Sequence, residues 1–147
     1  MLNTNDKGPG SLRDTITKAQ SGDTIVFAPS LDGKTITLTS DQLTINNSLD
    51  IEGPGADKLT ISGNKQNRIF NINEGLNVTI NCLTLTQGRA VGSLGEVLSS
   101  SGGGGAILNG GSVVSLANDV FADNVSLGTS NSAGSAAAEP SVINPAR

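Results

Sequence analysis

Histidine, tryptophan and tyrosine are absent from these 147 residues, and three phenylalanines supply the whole aromatic content of 2%. Without histidine the chain lacks the side chain that most often moves protons near neutral pH. Without large rings, a core must be assembled in thin layers from small and β-branched aliphatic residues. One cysteine, Cys82, excludes both an intrachain disulfide and a thiolate metal cage. It lies in a strand-like stretch and reads as a small apolar side chain. Charged residues make up only 15%, the nine basic ones are scattered singly from Lys7 to Arg147, and the formal net charge is -4. No basic cluster marks a nucleic-acid footprint, so no nucleic-acid partner is expected. No run approaches the roughly 18 apolar residues of a membrane span. Residues 1–6 have neither the basic start nor the apolar run of a signal peptide.

What the chain does have is glycine, 19 residues of it, and a repeat. Leu43-Thr-Ile45 with Leu49-Asp-Ile51, Val78-Thr-Ile80 with Leu83-Thr-Leu85, and Val114-Ser-Leu116 with Val120-Phe121 spell nearly one pattern. The copies begin at residues 43, 78 and 114, so 35 and 36 residues apart. Repeats of this size mark stacked arrays whose units cannot bury an apolar face without their neighbours.

Ser11 followed by Asp14 reads as an N-cap with an acid at N3, and Leu12, Ile16 and Ala19 share one helical face. A short amphipathic helix is therefore expected over about 11–20, ending before Gly22. From residue 23 the apolar period becomes two. Candidate strands are 24–27, 35–38, 43–45, 49–51, 59–61, 68–72, 77–80, 83–85, 106–108, 112–116 and 120–121. Turn residues separate them and no second helix fits between, which excludes a βαβ sheet. Such short strands can stack coil on coil. The expectation is an all-β, right-handed parallel β-helix with a short N-terminal capping α-helix. It spans 1–125, with a flexible insertion at 88–105 and a low-complexity tail at 126–147.

Three segments resemble the start of the parallel β-helix repeat regions (pectin-lyase-like fold) of large bacterial surface and secreted proteins. They are Asn3-Thr-Asn-Asp-Lys-Gly-Pro-Gly-Ser-Leu-Arg-Asp-Thr-Ile16, Asp23-Thr-Ile-Val-Phe27 and Leu49-Asp-Ile-Glu-Gly-Pro-Gly55 with its continuation to Asn64. Gly103-Gly-Gly-Ala-Ile-Leu-Asn109 and Asp119-Val-Phe-Ala-Asp-Asn124 are similar to that family's following repeats, so the likeness covers about 3–125. It implies a first helix that caps the bore, and a segment of a longer exported protein, extracellular or at the cell surface. The function it implies is structural or adhesive and not enzymatic, with surface glycans or host-cell molecules as partners. The alternative it leaves is a carbohydrate-active protein, binding polysaccharide or carrying a lyase or hydrolase site in coils beyond this chain.

No catalytic, cofactor or metal residue is assigned. Asp50 and Glu52 flank Ile51 on one strand, about 6–7 Å apart by the strand rise. That separation could serve a glycosidase, yet Lys58 and Lys65 nearby read as a solvated mixed-charge face. A calcium-dependent lyase needs clustered acids beside an arginine base. Arg68 is the only arginine in the well-patterned core, and its neighbours Asn71 and Asn73 are amides. Asp119 and the pair Asp123-Asn124 offer too few oxygens for a cation that takes six to eight, and read as coil corners. The glycine run 102–105 lacks the Gly-Lys-Ser/Thr of a phosphate loop. Asn77-Val-Thr79 and Asn124-Val-Ser126 match the glycosylation pattern at a frequency chance would give. No amphipathic helix follows Phe121 to close the C-terminal end, so either marginal stability or self-association through the last coil is expected.

Overall fold

The computed structural model describes residues 1–91 and 103–127. The expected insertion at 88–105 and tail at 126–147 fall mostly outside them. The chain opens with α1 (Leu12–Lys18). Ser11 caps it by accepting from the Asp14 N–H, Asp14 sits in the first turn, and Lys18 in the last turn pairs with Asp14 at 3.0 Å. Seven residues are too few for a helix to persist alone. Leu12 and Ile16, both buried in the core, hold it in place.

Thirteen short strands follow: β1 (Asp23–Ile25), β2 (Lys34–Thr37), β3 (Leu43–Ile45), β4 (Leu49–Glu52), β5 (Leu59–Ser62), β6 (Phe70–Ile72), β7 (Asn77–Asn81), β8 (Thr84–Thr86), β9 (Arg89–Val91), β10 (Ile107–Asn109), β11 (Val113–Ala117), β12 (Val120–Ala122) and β13 (Val125–Leu127). The fold is all-β in its sheets, and every pairing is parallel. Sheet I runs β1-β4-β7-β11, sheet II β2-β5-β8-β12, sheet III β3-β6-β10 and sheet IV β9-β13. The chain thus visits sheets I, II and III in rotation and returns to each one strand further along.

Alternation decides which side chains meet. Ile25, Ile51, Ile80 and Leu116 lie in one register column of sheet I, and Ile36, Ile61, Leu85 and Phe121 in one column of sheet II. Ile51, Ile61, Ile72, Ile80 and Leu85 are fully buried, while Asp50, Glu52 and Lys58 are exposed. Thr60 is half-buried, because its row continues through Thr35 and Thr84 on either side.

The repeat read from the sequence aligns only in part. Val114 pairs with Val78 and Phe121 with Leu85, as the 36-residue spacing requires. The first copy is displaced: Leu43 pairs with Phe70, and Val78 pairs with Leu49. Successive returns to sheet I are 26, 29 and 36 residues long, since Asp23 pairs with Leu49, Leu49 with Val78 and Val78 with Val114. Arg89–Val91 and Val125–Leu127, which alternation gave no strand, pair with each other as sheet IV. Corners close with left-handed residues stacked in successive passes: Cys82 (φ 57°) below Asn118 (56°), and Gln87 (54°) below Asp123 (56°). At the equivalent corner in β4's pass stands Gly53, where a Cβ would meet the Cys82 carbonyl oxygen at 2.2 Å.

Replacing Ile61 by alanine leaves a cavity in this close-packed stack and costs about 2–5 kcal/mol. Asp50→Ala, on the opposite face, changes stability by no more than about 0.5 kcal/mol. Urea denaturation reads both, and an unchanged midpoint for Ile61→Ala would remove Ile61 from the core.

Candidate functional site

The outward faces separate the acids from any base. Asp50 stands between Thr24 and Thr79 in sheet I, and Glu52 beside Asn81, so hydroxyls and an amide surround both carboxylates. Arg68 is buried, with Nε donating to the Gly104 carbonyl at 2.8 Å and Nη1 to Gln42 Oε1 at 2.9 Å. Burial lowers its pKa. The side chain ties the strand β6 region to the residues that lead into β10. Asn71 sits half-buried between Thr44 and Leu108, and the Asn73 amide donates to Asn46 Oδ1. Among the described residues, no three His, Cys, Asp or Glu side chains gather as a metal site. Cys82 is a free thiol of intermediate burial at its corner.

The polar corner residues instead bind backbone. Leu76 N–H donates to Ser112 Oγ at 2.8 Å, Leu83 N–H to Asp119 Oδ1 at 3.0 Å, and Gly88 N–H to Asn124 Oδ1 at 2.8 Å. Each acceptor is 36 residues beyond its donor, so the fourth pass is pinned to the third at three corners. Asp119 Oδ2 is buried with no hydrogen-bond partner, and burial raises this carboxyl's pKa. Asp6 is the opposite case. Burial pushes it upward, but bonds from Ser40 and the Arg13 guanidinium outweigh that and hold it below its ordinary value. Arg13 also donates to the carbonyls of Asp41 and Gln42 at 2.6 and 2.7 Å, locking α1 to the loop before β3.

One cleft lies where sheet II turns into sheet IV. Its volume is about 550 Å³ and its walls are Lys65, Gln87, Arg89, Asp123, Val125 and Leu127, with Gly88 between. Lys65, Gln87 and Asp123 all have left-handed φ (59°, 54°, 56°), and they are stacked: Lys65 N–H donates to Gln87 O, and Gln87 N–H to Ala122 O. Corner geometry therefore aims three polar side chains along one edge. Sheet IV supplies the floor, with Arg89 beside Val125 and Val91 beside Leu127 facing outward while Ala90 is buried. Gln87 Oε1 accepts from Ser62 Oγ, which orients its amide. Among the described residues, Lys65, Arg89 and Asp123 form no ion pair. The size suits a small ligand or one sugar of a chain, and the chemistry is two cations, the Asp123 carboxylate and an amide over an aliphatic floor. Sequence reasoning named Asp123 as a corner and Lys65 as part of a solvated mixed-charge face, and joined neither to a site. The usable signal was the polar residue closing each of the last two strands of sheet II, Gln87 after Thr86 and Asp123 after Ala122.

No protein-family model, curated protein or solved structure matches this chain.

The two perturbed acids give stability opposite pH dependences. Asp6, depressed, stabilises the fold above its unfolded value near 3.8, and that contribution is lost as pH falls below it. Asp119, raised, penalises the fold above that value, and protonation removes the penalty as pH falls. Asp6→Asn therefore lowers the thermal midpoint at pH 7, and the gap closes below pH ~3. Asp119→Asn raises the midpoint at pH 7, with its gain fading in acid. Melting curves from pH 2 to 8 separate them, and parallel curves for either variant would dismiss its assignment.

Proposed function

We propose that this chain is a segment of a right-handed parallel β-helix capped by α1, and that it serves a larger exported bacterial surface protein as a non-catalytic structural and adhesive module. The rotation of the chain through three parallel sheets supports the architecture. Parallel crossovers within one sheet are right-handed in about 98% of cases, which supports the hand. One observation carries the functional reading. Two outward rows in register are built mainly of hydroxyls, Thr35-Thr60-Thr84 and Thr24-Asp50-Thr79-Ser115, with Asp50 the one carboxylate in them. Such a face can hydrogen-bond a partner's surface along its length. It offers no acid and base converging on one point, which bond cleavage requires.

The cleft favours a second reading, in which the module binds a glycan with an acidic sugar. Val125 and Leu127 would take the C–H face of the ring, Lys65 and Arg89 the carboxylate, and Gln87 a hydroxyl.

Incubation with polygalacturonate or alginate, with and without Ca²⁺, should release no unsaturated or reducing products. Turnover abolished by Asp50→Asn would overturn the non-catalytic assignment. In calorimetric titration with acidic oligosaccharides, binding that Lys65→Ala and Arg89→Ala each weaken roughly tenfold would establish the second reading. Binding unaffected by both would place it elsewhere.

A further inference from the structure

The cleft between sheets II and IV carries charges of both signs, and the stack fixes their order. Lys65 follows β5, Gln87 follows β8 and Asp123 follows β12, so the three occupy one corner column in successive passes. Lys65 and Asp123 therefore stand two strand spacings apart, about 9–10 Å between backbones. Arg89 lies in Gln87's pass, and its register partner Val125 lies in Asp123's. Positive charge thus gathers at one end of the cleft. The carboxylate marks the other, beside the aliphatic floor of Val125 and Leu127. All three charged residues are exposed, and none is in an ion pair among the described residues.

Hydrogen-bonding capacity is just as uneven. Lys65 and Arg89 can only donate. Gln87 Oε1 already accepts from the Ser62 hydroxyl, which leaves its Nε2 hydrogens as that side chain's offer to a ligand. Asp123 supplies the one carboxylate among the described lining side chains. A ligand that is only an anion meets a mismatch here. Its carboxylate gains from Lys65 and Arg89, but it also brings negative charge toward Asp123. A ligand with an ammonium at the far end from its carboxylate satisfies all three groups. An α-amino acid holds both charges on one carbon and does not span the column. A sugar ring does, with a carboxylate on one side and an amine across the ring.

We propose that the cleft holds an aminouronic acid residue of a glycan, a sugar bearing both a carboxylate and an unacetylated amine, and that Asp123 selects it. This rests on the acidic-sugar reading of the cleft and deepens it. Lys65 and Arg89 take the carboxylate, Asp123 takes the ammonium, and the ring's C–H face lies on Val125 and Leu127. Asp123 also acts by exclusion, since a sugar with a second anionic group in that place is repelled.

Calorimetric titration of the full chain with galactosaminuronate, which is galacturonate with an amine in place of one hydroxyl, tests this. It should bind roughly tenfold or more tightly than galacturonate. N-acetylation removes the amine's charge and should return the affinity to that of galacturonate. Asp123→Asn keeps the side chain's size and suits the backbone, since Asn118 holds the same φ of 56° at its own corner. The variant should lose the preference for the amino sugar and bind galacturonate at least as tightly as before, with an unchanged circular dichroism spectrum. Leucine should bind no more tightly than galacturonate. Equal affinities for the two uronates would overturn the proposal and leave the acidic-sugar reading standing. A preference that survives Asp123→Asn would overturn the role of Asp123, and leucine held as tightly as the amino sugar would overturn the sugar assignment. Binding of neither uronate would overturn the acidic-sugar reading as well.

Discussion

A strand of three to five residues has almost no stability of its own, and the described residues form thirteen of them. What they share is parallel pairing in register, so that an aliphatic residue in one pass lies directly over an aliphatic residue in the next. A slip of one residue would turn a whole column, such as Ile25-Ile51-Ile80-Leu116, out to water. Everything else follows from keeping that register. The corners must bend sharply without advancing it, which is why Cys82, Gln87, Asn118 and Asp123 adopt left-handed conformations in stacked pairs. The polar side chains of Ser112, Asp119 and Asn124 fix one pass on another and are taken up by that task.

This division of labour bears on function. Asp119 and Asn124, oxygen-rich and close in sequence, could be taken as a cation site; each instead accepts an N–H from the pass below. Arg68, the one arginine in the patterned core, anchors the segment around Gly104 and is withdrawn from solvent. The side chains left free are those where regular passing is interrupted, at sheet IV, and there Lys65, Arg89 and Asp123 border a cleft.

The inward residues were legible because alternation is local: Ile51, Ile61 and Ile80 are identified by their two neighbours alone. The α1 boundaries were legible for the same reason, through Ser11, Asp14 and the Leu12/Ile16 stripe. Register was not. Leu-Thr-Ile at 43–45 and Val-Thr-Ile at 78–80 look equivalent, yet they belong to sheets III and I, because the passes differ in length and a short motif carries no label for its sheet. Sheet IV was invisible too: Arg89-Ala-Val91 and Val125-Ser-Leu127 gain meaning only from each other, across 36 residues. The cleft depends on that pairing, so it was hidden with it.

The three corner pins from Ser112, Asp119 and Asn124 all run in one direction along the stack, each last-pass side chain gripping the pass beneath. At the opposite end the Arg13 guanidinium grips both Asp6 and the carbonyls of Asp41 and Gln42. A stack held by nearest neighbours alone yields from its weaker end. Tension on the C-terminal side would therefore peel one pass at a time. Each release would add on the order of 90–130 Å of chain, for passes of 26 to 36 residues. Under such a load the chain would lengthen in discrete steps and absorb work at each one, with the α1 end the last to give.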